Sequence, residues 1–292
     1  MSLALIVNPS AGGGRAGKHL PDVQQRLTAL GLEHRAEYTR SLDHARELAK
    51  QAAAAGATAV AFGGDGLVGA VAGALAGSDG VLGILPGGRG NDFVRMLGIP
   101  ATPVAACDVL HTGEVRKLDL GEVNALPYVG IASCGFDSVA NRIANDTRVV
   151  RGKLVYVYGL LRALAGWKPA TFTIELDGCE ARIVTGYSVA AANSRFYGAG
   201  MMLAPDASLQ DGQLDVVTIG AVPRLRFLLR APQVLRGTHV RLPNVEVARC
   251  SQVTISASRP FTMYADGDPV GDLPVTVRAL PGAVNAIVPA GQ

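Results

Sequence analysis

The sequence predicts an α/β first half followed by a largely antiparallel, β-rich second half. Three observations carry that expectation. Apolar strand-like runs alternate with helix-spaced segments up to about residue 120. Three of those runs end in glycine-rich loops. Beyond residue 120 the apolar pattern turns to period two, with hairpin signals between the runs. At 292 residues the chain is long enough for two domains. The expected division is 1–120 for the first, rejoined by the extreme C-terminus at about 282–292, and 121–281 for the second, with the change falling near Leu120 to Leu126.

Leu3 to Val7 reads as a buried strand, and Leu20, Val23, Gln24, Leu27 and Leu30 fall at helical spacing. The Ala-rich stretch Asp43 to Ala55 reads as a helix with Asp43 as its cap. Strands follow at Thr58 to Phe62 and Val81 to Leu85, separated by the helix-like Leu67 to Leu75. Strand–helix alternation implies a parallel sheet covered on both faces, with ligands beyond the carboxyl ends of its strands. In the second half Thr171 to Leu176 alternates and meets the turn signal Asp177-Gly178. Arg182 to Ala191, Leu214 to Ile219, Val253 to Ala257 and Val275 to Leu280 also read as strands. Helical insertions are expected near Ser138 to Ala144, Lys153 to Leu164 and Arg224 to Leu235.

Composition narrows the class. Hydrophobic residues make 49% and charged residues 17%, so large cores are expected and disorder is not. A net charge of +3 is too mild for a dedicated nucleic-acid binder but suits visits to anionic surfaces. Cys107, Cys134, Cys179 and Cys250 form no CxxC pair, so reduced buried thiols are expected. No basic leader, signal peptide or apolar span of transmembrane length appears, which makes the cytoplasm the expected location.

The most informative segment is Gly63-Gly64-Asp65-Gly66, at a strand-to-helix junction. Glycines let backbone approach a ligand, and a helix N-terminus offers free N–H groups to an anion, so phosphate is the expected guest. A plain turn would also use these residues. Two further loops are of the same kind. Asn8 to Gly17 carries three consecutive glycines and Arg15, without the Gly-Lys-Ser/Thr of a Walker A loop. Leu85 to Phe93 contains Gly87, Gly88, Arg89, Gly90, Asn91 and Asp92, where Asn91 or Asp92 could cap the helix running to Leu97. Three such loops at the ends of parallel strands would converge on one crevice.

These stretches resemble the diacylglycerol kinase catalytic-domain family, in its bacterial lipid-kinase branch, related to sphingosine kinases and NAD kinases. Further matching stretches are Gly135-Phe136-Asp137, Ala192-Asn193 with Gly198 to Met201, Ala204-Pro205 through Asp215, and Asp266-Gly267-Asp268. The resemblance runs through nearly the whole chain in order. It implies an NAD kinase-like N-terminal nucleotide domain, a β-rich second domain, and ATP in the cleft between them. The γ-phosphate would pass to a lipid hydroxyl, diacylglycerol giving phosphatidic acid. By position, Gly63, Gly64, Asp65, Gly66, Gly88, Arg89 and Asn91 would hold phosphate, with Asn8 and Thr39 nearby. Mg²⁺ would be held by Ser208, Asp211 and the Gln213 carbonyl, oxygen donors suited to a hard cation. Asp266 and Asp268 would supply the base or orienting carboxylate. Two carboxylates two residues apart can share one face of an extended strand, and they can equally sit in a surface turn. Asp119 matches a family aspartate near the domain junction, which implies a metal-linked role; its other reading is a strand-end charge in water.

The chain departs from the family at three places. Leu67 and Arg89 stand where Thr is usual, and Asp268 where Glu is usual. Arg89 could fork onto phosphate or pair with Asp92. Trp167 reads as core or interfacial packing. Arg148, Arg151, Lys153, Arg162 and Lys168 bracket the apolar Leu154 to Leu164, and Arg224, Arg226, Arg230 and Arg236 punctuate Phe227 to Leu235. That pattern suits either a solvated face over a core or peripheral contact with an anionic membrane, which a lipid acceptor favours. A homodimer is left open. The competing functions are an NAD kinase-like enzyme and a nucleotide-binding regulatory protein without turnover.

Overall fold

A computed structural model describes residues 2–147, 154–198 and 200–291. The first half comprises β1 (Ser2–Val7), α1 (Ala11–Ala29), β2 (Glu33–Tyr38), α2 (Leu42–Ala54), β3 (Thr58–Gly63), α3 (Asp65–Leu75), β4 (Val81–Pro86), α4 (Asp92–Met96), α5 (Pro103–Thr112) and β5 (Glu114–Val123). Strands β2, β1, β3 and β4 lie parallel in that order. The central ones are near-continuous apolar runs because both faces are covered. Strand β2 had no apolar signal: Glu33-His34-Arg35-Ala36-Glu37-Tyr38 sits at the sheet edge, paired only with β1. The cap of α2 is Ser41, whose hydroxyl accepts the His44 N–H, rather than the expected Asp43, which falls in the first turn.

The second half comprises β6 (Leu126–Tyr128), β7 (Ile131–Gly135), α6 (Phe136–Asp146), α7 (Leu154–Gly166), β8 (Ala170–Leu176), β9 (Arg182–Ala192), the short β10 (Phe196–Tyr197) and β11 (Met201–Met202), β12 (Leu214–Gly220) and α8 (Arg224–Arg230). Two 3-10 turns follow, Ala231–Arg236 and Thr238–Arg241, then β13 (Val245–Cys250), β14 (Gln252–Ala257), β15 (Thr262–Ala265), β16 (Asp268–Asp272) and β17 (Val275–Val288). The order β16-β15-β7-β9-β8-β14-β17 is antiparallel throughout, with β12 and β13 branching from β9. The turn at Asp177-Gly178 has both residues at positive φ, and the Asp177 carboxylate caps the start of β14.

Strand β17 joins the two halves. Its first part pairs with β14, its far end lies parallel to β4 at Asn285 and Ala286, and β5 runs antiparallel beside it. One core fills the first half around Leu5, Phe62 and Leu85. Another fills the second half around Phe172, Trp167 and Tyr187, where Trp167 packs edge-on to Phe136. Cys107, Cys134 and Cys250 are buried free thiols, but Cys179 is exposed on the β8–β9 turn, contrary to the expectation for all four.

Candidate active site

The three glycine loops meet by backbone contact. A Cβ at Gly64 would stand 3.2 Å from the Gly88 Cα, and one at Gly88 only 2.5 Å from the Gly64 Cα. One at Gly12 would stand 2.4 Å from the Gly87 oxygen. Only glycine allows this approach. Gly12, Gly13 and Gly14 all have positive φ, while Arg15 donates to the Gly88 carbonyl at 3.1 Å. A Cβ at Gly13 would meet nothing nearer than the Arg89 Nη2, at 3.9 Å. The result is an open cradle of backbone and two guanidiniums over the N-terminus of α3, suited to an anion.

Asn91 does not cap α4 through its side chain. It takes a left-handed φ of 51°, and its Oδ1 accepts the Gly88 N–H at 2.9 Å, fixing the third loop. Asp65 reaches across to accept the Phe93 N–H at 3.1 Å. Asn8 Oδ1 accepts from Ser10, and Thr39 follows β2 with its N–H on the Val7 carbonyl, so both lie at the carboxyl edge of the sheet. Leu67 is buried and would touch a Cβ at Gly63, so this departure adds core packing. Asp92 pairs with Arg95 at 2.9 Å, and Arg89 is exposed beside the cradle.

Helix α3 presents Gly66, Gly69 and Gly73 to the second half. Cβ atoms there would stand 3.8 Å from Asp268 Oδ2, 3.2 Å from Asp266 Oδ2 and 3.3 Å from Pro127. The two carboxylates thus reach the same helix whose N-terminus floors the cradle. They do not share the face of an extended strand. Ala265 pairs with Asp268, leaving Asp266-Gly267 as a two-residue hairpin turn with φ of 51° and 96°. That geometry turns Asp266 inward and leaves Asp268 at the strand start.

Asp266 accepts three backbone N–H groups, from Val129 at 2.8 Å, Gly130 at 2.9 Å and Ile131 at 3.2 Å. Burial, with Asp65 nearby, nonetheless pushes its carboxyl up to about 7, against the lowering effect of those bonds. Asp268 is exposed. Desolvation raises its carboxyl and Arg46 on α2 opposes the rise. None of the side-chain hydrogen bonds among the described residues ends on the Asp268 carboxylate.

Ser208, Asp211 and Gln213 lie elsewhere, on the loop before β12. Asp211 Oδ1 accepts the Gln213 N–H at 3.1 Å, and Ser208 Oγ the Gln210 N–H at 3.2 Å. Asp119 is no solvated strand end. It is 3% exposed, with one oxygen on the Gly212 N–H and the other on the Gly282 N–H, both at 2.7 Å. Asn193, fully buried, donates to the Asp119 carbonyl at 3.0 Å and the Val129 carbonyl at 2.9 Å. One hydrogen-bonded path therefore runs from Asp266 through Val129, Asn193 and Asp119 to the 208–213 loop. Sequence reasoning gave Asn193, Arg46 and the Val129–Ile131 amides no role. A polar Asn ending the apolar run of β9 was the available signal.

Comparison with known proteins identifies the family and the fold. The profile of the diacylglycerol kinase catalytic domain matches residues 2–123, and that of the YegS C-terminal NAD kinase beta sandwich-like domain matches 130–288. A diacylglycerol kinase of Mycobacterium tuberculosis (strain ATCC 25618 / H37Rv) is 34% identical, over 97% of this chain and 94% of its own. Among solved structures, a diacylglycerol kinase from Bacillus anthracis superposes with TM-score 0.78 at 20% identity, covering 99% of this chain and 97% of that one. An NAD kinase from Archaeoglobus fulgidus, solved with ATP, gives TM-score 0.56 at 14% identity, covering 99% and 94%. The last two likenesses establish an NAD kinase-like α/β domain joined to a β-sandwich. With both profiles in chain order and a relative matched along nearly its full length, this chain belongs to the diacylglycerol kinase family and is a lipid kinase.

Proposed function

We propose that the protein transfers the γ-phosphate of ATP to the hydroxyl of diacylglycerol at the cleft between its halves. The observation that carries this reading is the placement of Asp266 and Asp268 against the glycine face of α3, whose N-terminus floors the cradle. Gly63, Gly64, Asp65, Gly66, Gly88, Arg89 and Asn91 form the phosphate site, with Asn8 and Thr39 at its edge. Arg15 and Arg89 supply cationic donors for phosphate oxygens. Residues 1–120 with 282–292 act as the nucleotide unit and 121–281 as the lipid unit.

Asp268 is the base. A carboxylate that no backbone donor among the described residues reaches can take the proton of the acceptor hydroxyl as its oxygen attacks the γ-phosphorus, while the bond to the β–γ bridging oxygen breaks and ADP leaves. Asp266, held by three amides, positions the turn that carries Asp268. The oxygens of Ser208, Asp211 and Gln213 fit a hard cation, and Mg²⁺ there would supply positive charge to the loop that Asp119 anchors. Peripheral membrane contact from the cytoplasm follows from a lipid acceptor, and no helix among the described residues is long and apolar enough to cross a bilayer. A homodimer is compatible with this scheme.

Labelled ATP offered with a total lipid extract, and separately with NAD, tests the proposal. Label in phosphatidic acid is expected. Label only in NAD would make the enzyme NAD kinase-like, and nucleotide binding with no transfer would make it a regulator.

A further inference from the structure

Helix α8 is apolar on two opposite faces. Phe227 and Leu228 point inward, with Phe227 stacked on Tyr187 at 4.0 Å between ring centroids. Leu225 and Leu229, one turn apart, point outward and are 68% and 71% exposed. No residue of α8 or of the following 3-10 turn Ala231–Arg236 is buried, and Leu235 on that turn is 59% exposed. Beside them α7 exposes Leu161, and Arg224 ties the two helices by donating to the Ala165 and Trp167 carbonyls. A helix with apolar residues on two opposite faces needs cover on both, and the described residues leave the outer one uncovered.

The sequence around this face is basic. Residues 221–245 hold five arginines and no Asp or Glu, and residues 154–174 hold Arg162 and Lys168 and again no acid. Arg226 and Arg236 are exposed next to the outer leucines. A run of contacts leads from the end of this face to α4. Gly237, which ends the 3-10 turn, packs so closely on Met202 that a Cβ would stand 2.8 Å from its sulfur. Met202 pairs with Phe196 across the β10–β11 hairpin, and Arg95 of α4 lies 5.6 Å over the Phe196 ring.

We infer that the outer face of α8 and its following turn, flanked by α7, is the surface that seats on an anionic bilayer. Leu225, Leu229 and Leu235 enter the acyl boundary, and Arg226 and Arg236 meet lipid phosphates. The choice of occupant rests on the lipid-acceptor reading; the uncovered apolar face and its charge do not. Of the arginines and lysines around α7, Arg148, Arg151 and Lys153 lie outside the described residues.

Co-sedimentation with vesicles of phosphatidylcholine, alone and mixed with phosphatidylglycerol, tests this. The full chain should bind the mixed vesicles and be released by salt. Leu225→Asn/Leu229→Asn should weaken binding about tenfold or more, and Arg226→Ala about fivefold. Both variants should keep parental activity on a short-chain, water-dispersed diacylglycerol. Parental vesicle binding by the leucine variant would overturn the inference. So would a chain that sediments as a dimer and becomes a monomer on the same substitutions, since the face would then be a subunit contact. Vesicle binding without phosphorylation of any lipid would retain the face and remove the acceptor reading. Phosphorylation of the dispersed lipid without vesicle binding would do the reverse.

Discussion

Replacing Asp266 by Asn should remove a pH dependence from folding stability. The Asp266 carboxyl is raised from 3.8 to about 7, chiefly by burial. The folded protein thus holds this proton more tightly than the unfolded chain. The stability this group contributes is full below its ordinary range and is lost as pH rises through about 7. Between about pH 5 and about pH 8 the loss amounts to about 2–3 kcal/mol for a shift of this size. An Asn of the same shape cannot ionise, so its variant lacks that component. The amide oxygen also serves fewer of the three N–H donors, which costs about 1–3 kcal/mol at every pH. The parent's lead over the variant should therefore shrink by about 2–3 kcal/mol between about pH 5 and about pH 8. Other raised groups, such as Asp137 near 6, titrate in both proteins and cancel. Urea unfolding of parent and Asp266→Asn at the two pH values gives the double difference. Parallel pH profiles would refute the buried-carboxylate reasoning.

Three further outcomes follow from the same geometry. Gly64→Val forces a branched side chain against the Gly88 backbone, so it should lower stability by about 1–3 kcal/mol and abolish measurable ATP binding in the fraction that folds; normal affinity by calorimetry would contradict the cradle. Asp119→Ala removes two short bonds to Gly212 and Gly282 and should cost about 3 kcal/mol or more in thermal unfolding, whereas a value near zero would return Asp119 to solvent. Mg²⁺ should raise the parent's melting temperature and leave that of Asp211→Ala unmoved; equal responses would show that Asp211-Gly212 is only a turn.

The parallel core was legible because β1, β3 and β4 are buried on both faces and read as unbroken apolar runs. Strand β2 was not, since an edge strand need not be apolar. The phosphate loops were legible from their glycines, but the reason for each glycine was not. Gly64 and Gly88 exist for each other, a contact between residues far apart in sequence. Asp266-Gly267-Asp268 could be read as a strand face or as a turn, and the structure makes it a turn whose first carboxylate is internal. No local pattern encodes the three amides that hold it. The role of Asp119 was hidden for the same reason, because its partners lie on the 208–213 loop and within β17.

Turnover by Asp268→Asn, with nucleotide binding measured in parallel, is the most direct test of the proposed chemistry. Steady-state phosphorylation of diacylglycerol in mixed micelles should fall by about 10²–10⁴-fold, the scale of a lost general base, while ATP affinity stays parental. Asp266→Asn should lose less activity at a pH where it is folded, because its carboxylate acts through the turn. Parental turnover by Asp268→Asn would contradict the assignment and move the base elsewhere in the cleft.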